Sequence, residues 1–111
     1  MIIIKEYLTE NGQSPFRRWR RKLDATLQHK VAVALAKLEL ARALEVKDLR
    51  QGLFEMRIHS GGGMRVYFAE DDDDIILLLG GGQKDSQTRD IENARNRLVD
   101  YLARKERENG R

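Results

Sequence analysis

The sequence contains no cysteine and only one proline in 111 residues. Without cysteine, a disulfide framework and a thiolate zinc site are excluded. No apolar run approaches the roughly 20 residues of a membrane-spanning helix. The N-terminus does not have the pattern of a signal peptide, because its short apolar run ends at Lys5 and Glu6. We therefore expect a cytoplasmic protein without membrane contacts.

The charged residues are numerous but segregated. They make up 35% of the chain, yet the formal net charge is only +3. Five acidic residues follow one another from Glu70 to Asp74. They lack the glycine and the spaced ligands of a calcium loop, so we expect a solvated turn and no metal site. A basic cluster near the N-terminus favours nucleic acid or an acidic partner through its local field; its members are Arg17, Arg18, Arg20, Arg21 and Lys22.

Three consecutive strands are predicted between Leu53 and Lys84. Residues 53–58 and 64–68 alternate between apolar and polar side chains, and a glycine-bearing loop separates them. The third run, residues 75–79, is apolar throughout, which is typical of a strand buried on both faces. A hairpin turn centred on Gly61 aligns the apolar residues of the first two strands. A slip by one residue would oppose apolar to polar side chains and is disfavoured.

This register places Arg57 directly opposite Arg65, and Glu55 opposite Tyr67. Two like charges opposed on neighbouring strands cost stability. Paired guanidinium groups commonly serve to bind an anion, most often a phosphate. Alternatively, Glu55 pairs with one arginine and the other is solvated. From these residues alone, both readings stay open.

Helices are predicted on both sides of the three strands. Ser14-Pro15 has the pattern of a helix start, and Asp24 or Thr26 can open a second helix. Asp85 or Ser86 can cap a last helix, whose tail we expect to fray after about Arg104. The apolar stripes of the three helices are Phe16, Trp19 and Leu23; Leu27, Val31, Leu35 and Leu38, widened by Val33 and Leu40; and Ile91, Ala94, Leu98 and Leu102.

The predicted fold is a single α+β domain spanning residues 1–111, in the order β-α-α-β-β-β-α. A short first strand covers residues 2–8, and residues 47–52 form a polar connection. The helical hairpin must cover the sheet face that carries Phe54, Met56 and Ile58, because these side chains need burial. We expect the opposite face to stay uncovered.

The whole chain resembles the RelE/HigB-type toxins of bacterial type II toxin–antitoxin modules, in particular the addiction module killer proteins. The matching residues include Leu49-x-x-Gly52-Leu53-x-Glu55-x-Arg57-Ile58, Gly63-x-Arg65-Val66-Tyr67-Phe68, Gly81-Gly82-x-Lys84-x-x-Gln87 and Asp90-Ile91-x-x-Ala94. The resemblance implies the RelE/ParE-like fold, a small mixed sheet with a helical hairpin on one face. This sequence also departs from the family's pattern: Met64 stands where the family usually has an aromatic residue, and Gln83 stands where it commonly has an aspartate.

The resemblance implies a ribosome-dependent mRNA endonuclease that inhibits translation and needs no metal or cofactor. The ribose 2′-hydroxyl would attack the neighbouring phosphate. The implied partners are the ribosome, its mRNA and a cognate antitoxin with a helix-turn-helix, through which alone the toxin would reach operator DNA. Two alternatives remain: a ParE-like toxin that acts on DNA gyrase without cutting RNA, and a non-catalytic module that binds nucleic acid.

Carried over residue by residue, the resemblance implies the following site. Arg57 and Arg65 would bind the scissile phosphate, and Lys84 would contact phosphate or assist proton transfer. Tyr67 could orient the substrate or stack on a base, and His59 could act as general acid or base. Glu55 would serve as base or as a partner of Arg57. The remaining substrate contacts, to ribosomal RNA, would come from Lys47, Arg50, Arg17, Arg18 and Arg21.

Overall fold

A computed structural model of the chain describes residues 2–40, 45–60 and 62–110. Gly61, on which we centred the predicted hairpin turn, lies outside these residues. The strands are β1 (Ile3–Glu6), β2 (Val46–Asp48), β3 (Leu53–Ile58), β4 (Met64–Asp71) and β5 (Ile75–Gln83), and the helices are α1 (Pro15–Arg21), α2 (Ala25–Glu39) and α3 (Gln87–Asn109). A short 3₁₀ turn, Lys84–Ser86, precedes α3. The predicted α+β class is therefore confirmed.

The strands form one mixed sheet in the order β1-β5-β4-β3-β2. β1 runs parallel to β5, and the other neighbours are antiparallel. The predicted β3–β4 register is confirmed, including Phe54 opposite Phe68 and Arg57 opposite Arg65. The edge strand β2 was missed: we had predicted a polar connection from residue 47. Its three residues are all exposed, so no apolar alternation marked them.

One face of the sheet is covered by α1 and α2, as predicted. Ser14 caps α1 by accepting from the Arg17 amide, and Asp24, not Thr26, caps α2 by accepting from the Leu27 amide. The core on this face includes Phe16, Val31, Met56, Met64, Val66 and Phe68. The prediction that Val33 and Leu40 widen the α2 stripe is wrong, since 41% and 66% of their surfaces are exposed; they lie outside the arc that meets the sheet.

The opposite face is not uncovered, which corrects our prediction. α3 packs on it and forms a second core that includes Tyr7, Leu53, Tyr67, Leu79, Ala94 and Leu98. The amphipathic pattern of α3 requires such a surface, because Ala94 and Leu98 are buried. Leu102 is half exposed, so the predicted stripe ends one turn earlier. Within the described residues, none of the helices combines the length and apolar content needed to cross a membrane.

α3 extends to Asn109, and side chains of its last turns contact the sheet. The Tyr101 hydroxyl donates to Asp71 at the end of β4, and the Lys105 ammonium pairs with the same carboxylate. The hydrogen bond from Lys105 is the main reason why the pKa of Asp71 lies below its ordinary value of 3.8, and the bond from Tyr101 adds to it.

This anchor should make stability depend on pH in the acid range. A lowered folded-state pKa means that Asp71 stabilises the fold above pH 3.8 and that this contribution is lost as the pH falls through the folded value. Asp71→Asn should therefore cost about 1 kcal/mol near neutral pH, the size of an ordinary hydrogen bond, because Lys105 is partly exposed and solvent screens its charge. Melting temperatures measured from neutral pH into the acid range should converge for the two proteins. Asp73→Asn in the same turn is the control; an equal effect there would contradict the assignment.

Candidate active site

The site lies where α3 begins, and Glu55 occupies its centre. The β3–β4 register brings Arg57 and Arg65 side by side on the face that α3 covers. Glu55 is on the same face and is fully buried. Its Oε2 accepts a hydrogen bond from Arg57 Nε at 3.1 Å, and its Oε1 lies 3.4 Å from Arg65 Nε. Both guanidinium groups therefore share one buried carboxylate, so the opposed like charges are partly neutralised.

Arg57 is the more accessible of the two arginines, with one third of its side chain exposed. Its Nη1 also lies 3.7 Å from Glu45 Oε1, just before β2. The exposed His59 contacts the same glutamate through Nε2. This hydrogen bond is the main reason why the pKa of Glu45 lies below its ordinary value, and the charge of Arg57 contributes. His59 therefore lies at the rim of the arginine pair, and the Glu45 carboxylate links it to Arg57.

Arg65 is almost fully buried, with 9% of its side chain exposed. Its Nη1 donates to the Gly63 carbonyl at 3.1 Å. Its contact with Glu55 lacks hydrogen-bond geometry at Nε and is therefore Coulombic. A Cβ on Gly63 would lie 3.6 Å from Arg65 Nη1 and 3.7 Å from Lys84 Cβ, so the two side chains flank the same glycine. Lys84 is exposed and forms no ion pair with any described residue.

The first turn of α3 packs against the site and contacts Glu55. Gln87 Nε2 donates to Glu55 Oε1 at 2.8 Å. One turn further along the chain, the Asp90 carboxylate accepts from Ser86 and sits over Gly82, where a Cβ would lie 1.9 Å from Asp90 Oδ2. Only a glycine at this position of β5 therefore lets α3 approach so closely. The neighbouring Gly81 plays the same part on the other face, against Trp19.

Tyr67 shares this face but is fully buried in the core beneath α3. The prediction that it could stack on a base is therefore wrong for this arrangement, since α3 covers the ring. Its hydroxyl has no hydrogen-bond partner among the described residues. Burial raises the pKa of Tyr67, and the charges of Glu55 and Asp90 raise it further. The hydroxyl is thus held neutral among carboxylates. Met64 is also fully buried, on the opposite face, so its departure from the aromatic pattern removes no exposed ring.

We expect Tyr67→Phe to stabilise the protein by about 1 kcal/mol, because it removes a buried hydroxyl that has no partner while keeping the ring. Chemical unfolding at a fixed pH would measure the change. Tyr101→Phe is a matched control with the opposite expectation, since the Tyr101 hydroxyl donates to Asp71. A loss of stability in Tyr67→Phe would show that the hydroxyl is satisfied after all.

The remaining predicted contacts do not join this cluster. Arg17, Arg18 and Arg21 line a separate groove beside β1, together with Lys5 and Leu8. There Arg17 pairs with Glu6 at 3.0 Å, and Arg18 donates to Gln13. At the other edge of the sheet, Lys47 lies directly across from Glu55 in the β2–β3 register, and its side chain is exposed. Arg50 lies in the exposed β2–β3 turn, at φ 75°.

Two site residues received no role from the sequence. Glu45 precedes the missed strand β2, so its position across from Arg57 could not be derived. In the structure, the Arg57 amide donates a hydrogen bond to the Glu45 carbonyl, and this bond places the two residues opposite each other. Gln87 belongs to the matching residues of the resemblance, yet its contact depends on how α3 docks. No local signal pointed to either contact, because only Val46 among the β2 residues Val46–Asp48 is apolar and all three are exposed.

Comparison with known proteins gives one family match. The family described as phage derived protein Gp49-like (DUF891) matches residues 18–99. This range includes Glu55, Arg57, Arg65 and Lys84 and most of the fold. No curated protein matches the chain.

Proposed function

Because the chain belongs to the Gp49-like family, a toxin-like family within the RelE/HigB-like toxin superfamily, we propose that it is the toxin of a type II toxin–antitoxin module. Membership in this superfamily indicates an antitoxin partner. The activity that we propose is cleavage of mRNA on the ribosome. Neutralisation would come from a cognate antitoxin, a helix-turn-helix protein that also carries the toxin to operator DNA.

The observation that carries the proposal is the arginine pair with Lys84 beside it. Arg57 and Arg65 share a single buried carboxylate, and Lys84 flanks the same glycine as Arg65. The side chains of Arg57 and Lys84 are accessible to a substrate, whereas Arg65 is buried next to them. Donors fixed in place before the substrate arrives stabilise developing negative charge more effectively than mobile ones. This arrangement fits a phosphate that gains charge in the transition state.

Both the nucleophile and the leaving group of the reaction would belong to the RNA. The ribose 2′-oxygen forms a bond to the adjacent phosphorus, and the bond from phosphorus to the 5′-oxygen breaks. The products are a 2′,3′-cyclic phosphate and a 5′-hydroxyl. The 2′-hydroxyl loses a proton and the leaving 5′-oxygen gains one. His59 and Lys84 are the exposed groups of the cluster that could transfer these protons.

The basic residues outside the cluster would contribute to ribosome binding. Their charges would contact phosphates of ribosomal RNA, which position a protein without reading sequence. The two groups lie apart from each other. Arg17, Arg18 and Arg21 follow the groove beside β1, whereas Lys47 lies on β2 and Arg50 in the β2–β3 turn.

Expressing the protein in bacterial cells and mapping new mRNA ends would test the proposal. Cuts at a fixed position within codons should appear, and they should vanish in Arg65→Ala. A parallel assay of DNA damage separates the gyrase alternative. Damaged DNA with intact mRNA would favour a ParE-like toxin, and binding without either effect would favour a non-catalytic module.

A further inference from the structure

Glu55 is the most enclosed charged side chain of the site. No part of it is exposed, and both oxygens contact neighbouring groups. Oε2 accepts from Arg57, while Oε1 accepts from Gln87 and faces Arg65. A general base must come within hydrogen-bond reach of the proton that it removes. A carboxylate enclosed in this way cannot contact the ribose or the phosphate of a substrate.

The charges explain why a carboxylate stands here. Two guanidinium groups on facing positions of adjacent strands repel each other, and the repulsion grows with burial. One carboxylate between them neutralises one of the two positive charges and leaves the other for an incoming anion. Burying a carboxylate is itself costly unless its oxygens are hydrogen-bonded. Gln87 supplies such a bond to Oε1 at 2.8 Å.

We propose that Glu55 and Gln87 are positioning residues of this site, and that they hold Arg57 and Arg65 in the orientation needed to receive a phosphate. The proposal rests on the proposed function for its substrate. Gln87 is the first residue of α3, so the orientation of the arginines depends on how this helix begins. Glu55 is accordingly neither the general base nor a direct substrate contact.

The first experiment observes the arginines in the free protein by ¹H–¹⁵N NMR of their Nε–H groups. Arg57→Lys and Arg65→Lys assign the two signals. In the unaltered protein, Arg57 Nε–H should exchange slowly with solvent because it donates to the buried Glu55. Glu55→Gln and Gln87→Ala should shift both signals and speed their exchange. Thr88→Ala, at an exposed position of the same helical turn, should leave them unchanged. The amide spectrum verifies that each variant is folded.

The second experiment follows single-turnover cleavage of ribosome-bound mRNA, together with binding of an mRNA whose cleavage-site ribose is 2′-deoxy. Glu55→Gln and Gln87→Ala should each reduce both the rate and the binding, by about 10-fold or more, as expected for a lost bond to a charged group. The reduction should be the same across the pH range, and Thr88→Ala should match the unaltered protein.

The outcomes separate the alternatives. A Glu55→Gln variant that binds normally but loses a limb of its pH–rate profile would identify Glu55 as the base and overturn the proposal. Unchanged Nε–H signals in Gln87→Ala and Glu55→Gln would overturn it as well, whether or not RNA is cut. If the signals change but the unaltered protein cuts no RNA, the positioning holds and the proposed nuclease function fails.

Discussion

Replacing Arg57 by lysine should slow cleavage of ribosome-bound mRNA by about 100- to 1000-fold, the cost of removing one fixed donor from a developing negative charge. Lysine keeps the positive charge but has neither the planar fork nor an Nε–H for Glu55. The charge would therefore stay at the site while its orientation is lost. Because one third of the Arg57 side chain is exposed, the substitution should leave the fold nearly intact. Single-turnover kinetics on ribosomes programmed with a defined message would measure the effect.

Arg89→Lys is the matched control, since Arg89 is exposed on α3 and forms no ion pair or hydrogen bond with another described side chain. It should cleave at the unaltered rate. The partner substitution Arg65→Lys should be equally inactive but also less stable, because Arg65 is nearly buried and compensates the charge of Glu55. Full activity in Arg57→Lys would remove the arginine pair from the mechanism.

Gly81→Ala should destabilise the protein by about 3 kcal/mol, the upper part of the range for an overpacked core. A Cβ at this position would lie 2.3 Å from Trp19 Cε3 and 2.5 Å from Cζ3. The indole packs against the main core and lies 6.0 Å from the Phe16 ring, centroid to centroid. It cannot swing away as an exposed side chain would. Urea unfolding, monitored by circular dichroism, would measure the loss.

A double-mutant cycle sharpens this test. Trp19→Leu removes the indole, so adding Gly81→Ala to that variant should cost clearly less than it does alone. Gly110→Ala, at the end of α3, is the control glycine substitution and should cost much less than Gly81→Ala, because its Cβ would approach only the Glu106 carbonyl, at 3.1 Å. If Gly81→Ala costs the same with and without the indole, steric contact with Trp19 is not the cause.

The hairpin at the centre of the fold could be predicted from sequence in detail. Residues 54–58 and 64–68 alternate, and a shift by one residue would move every apolar side chain of one strand to the other face. The pairs Phe54–Phe68, Met56–Val66 and Arg57–Arg65 follow from this local signal. The caps at Ser14 and Asp24 were predictable for the same reason, because they depend on few neighbouring residues.

What could not be predicted depends on contacts between distant parts of the chain. The enclosure of Glu55 and Tyr67 follows from the docking of α3, which begins more than 30 residues after Glu55. The glycines after Leu79 admit Trp19 on one face and Asp90 on the other, and neither approach follows from the local sequence. The site therefore differs from the prediction mainly because α3 covers it. Arg57 and Arg65 lie side by side as expected, but Arg65 is buried.

The pairing of β1 with β5 has a consequence for synthesis of the chain. Ile3 forms its strand contacts opposite Ile75, so the first strand must wait until β5 has been translated before it finds its neighbour. α3, which covers the arginines, follows β5 in the chain. The nuclease centre that we propose can therefore assemble only after α3 has been translated. A nascent chain interrupted before β5 would be left with its first strand unpaired and no finished catalytic surface.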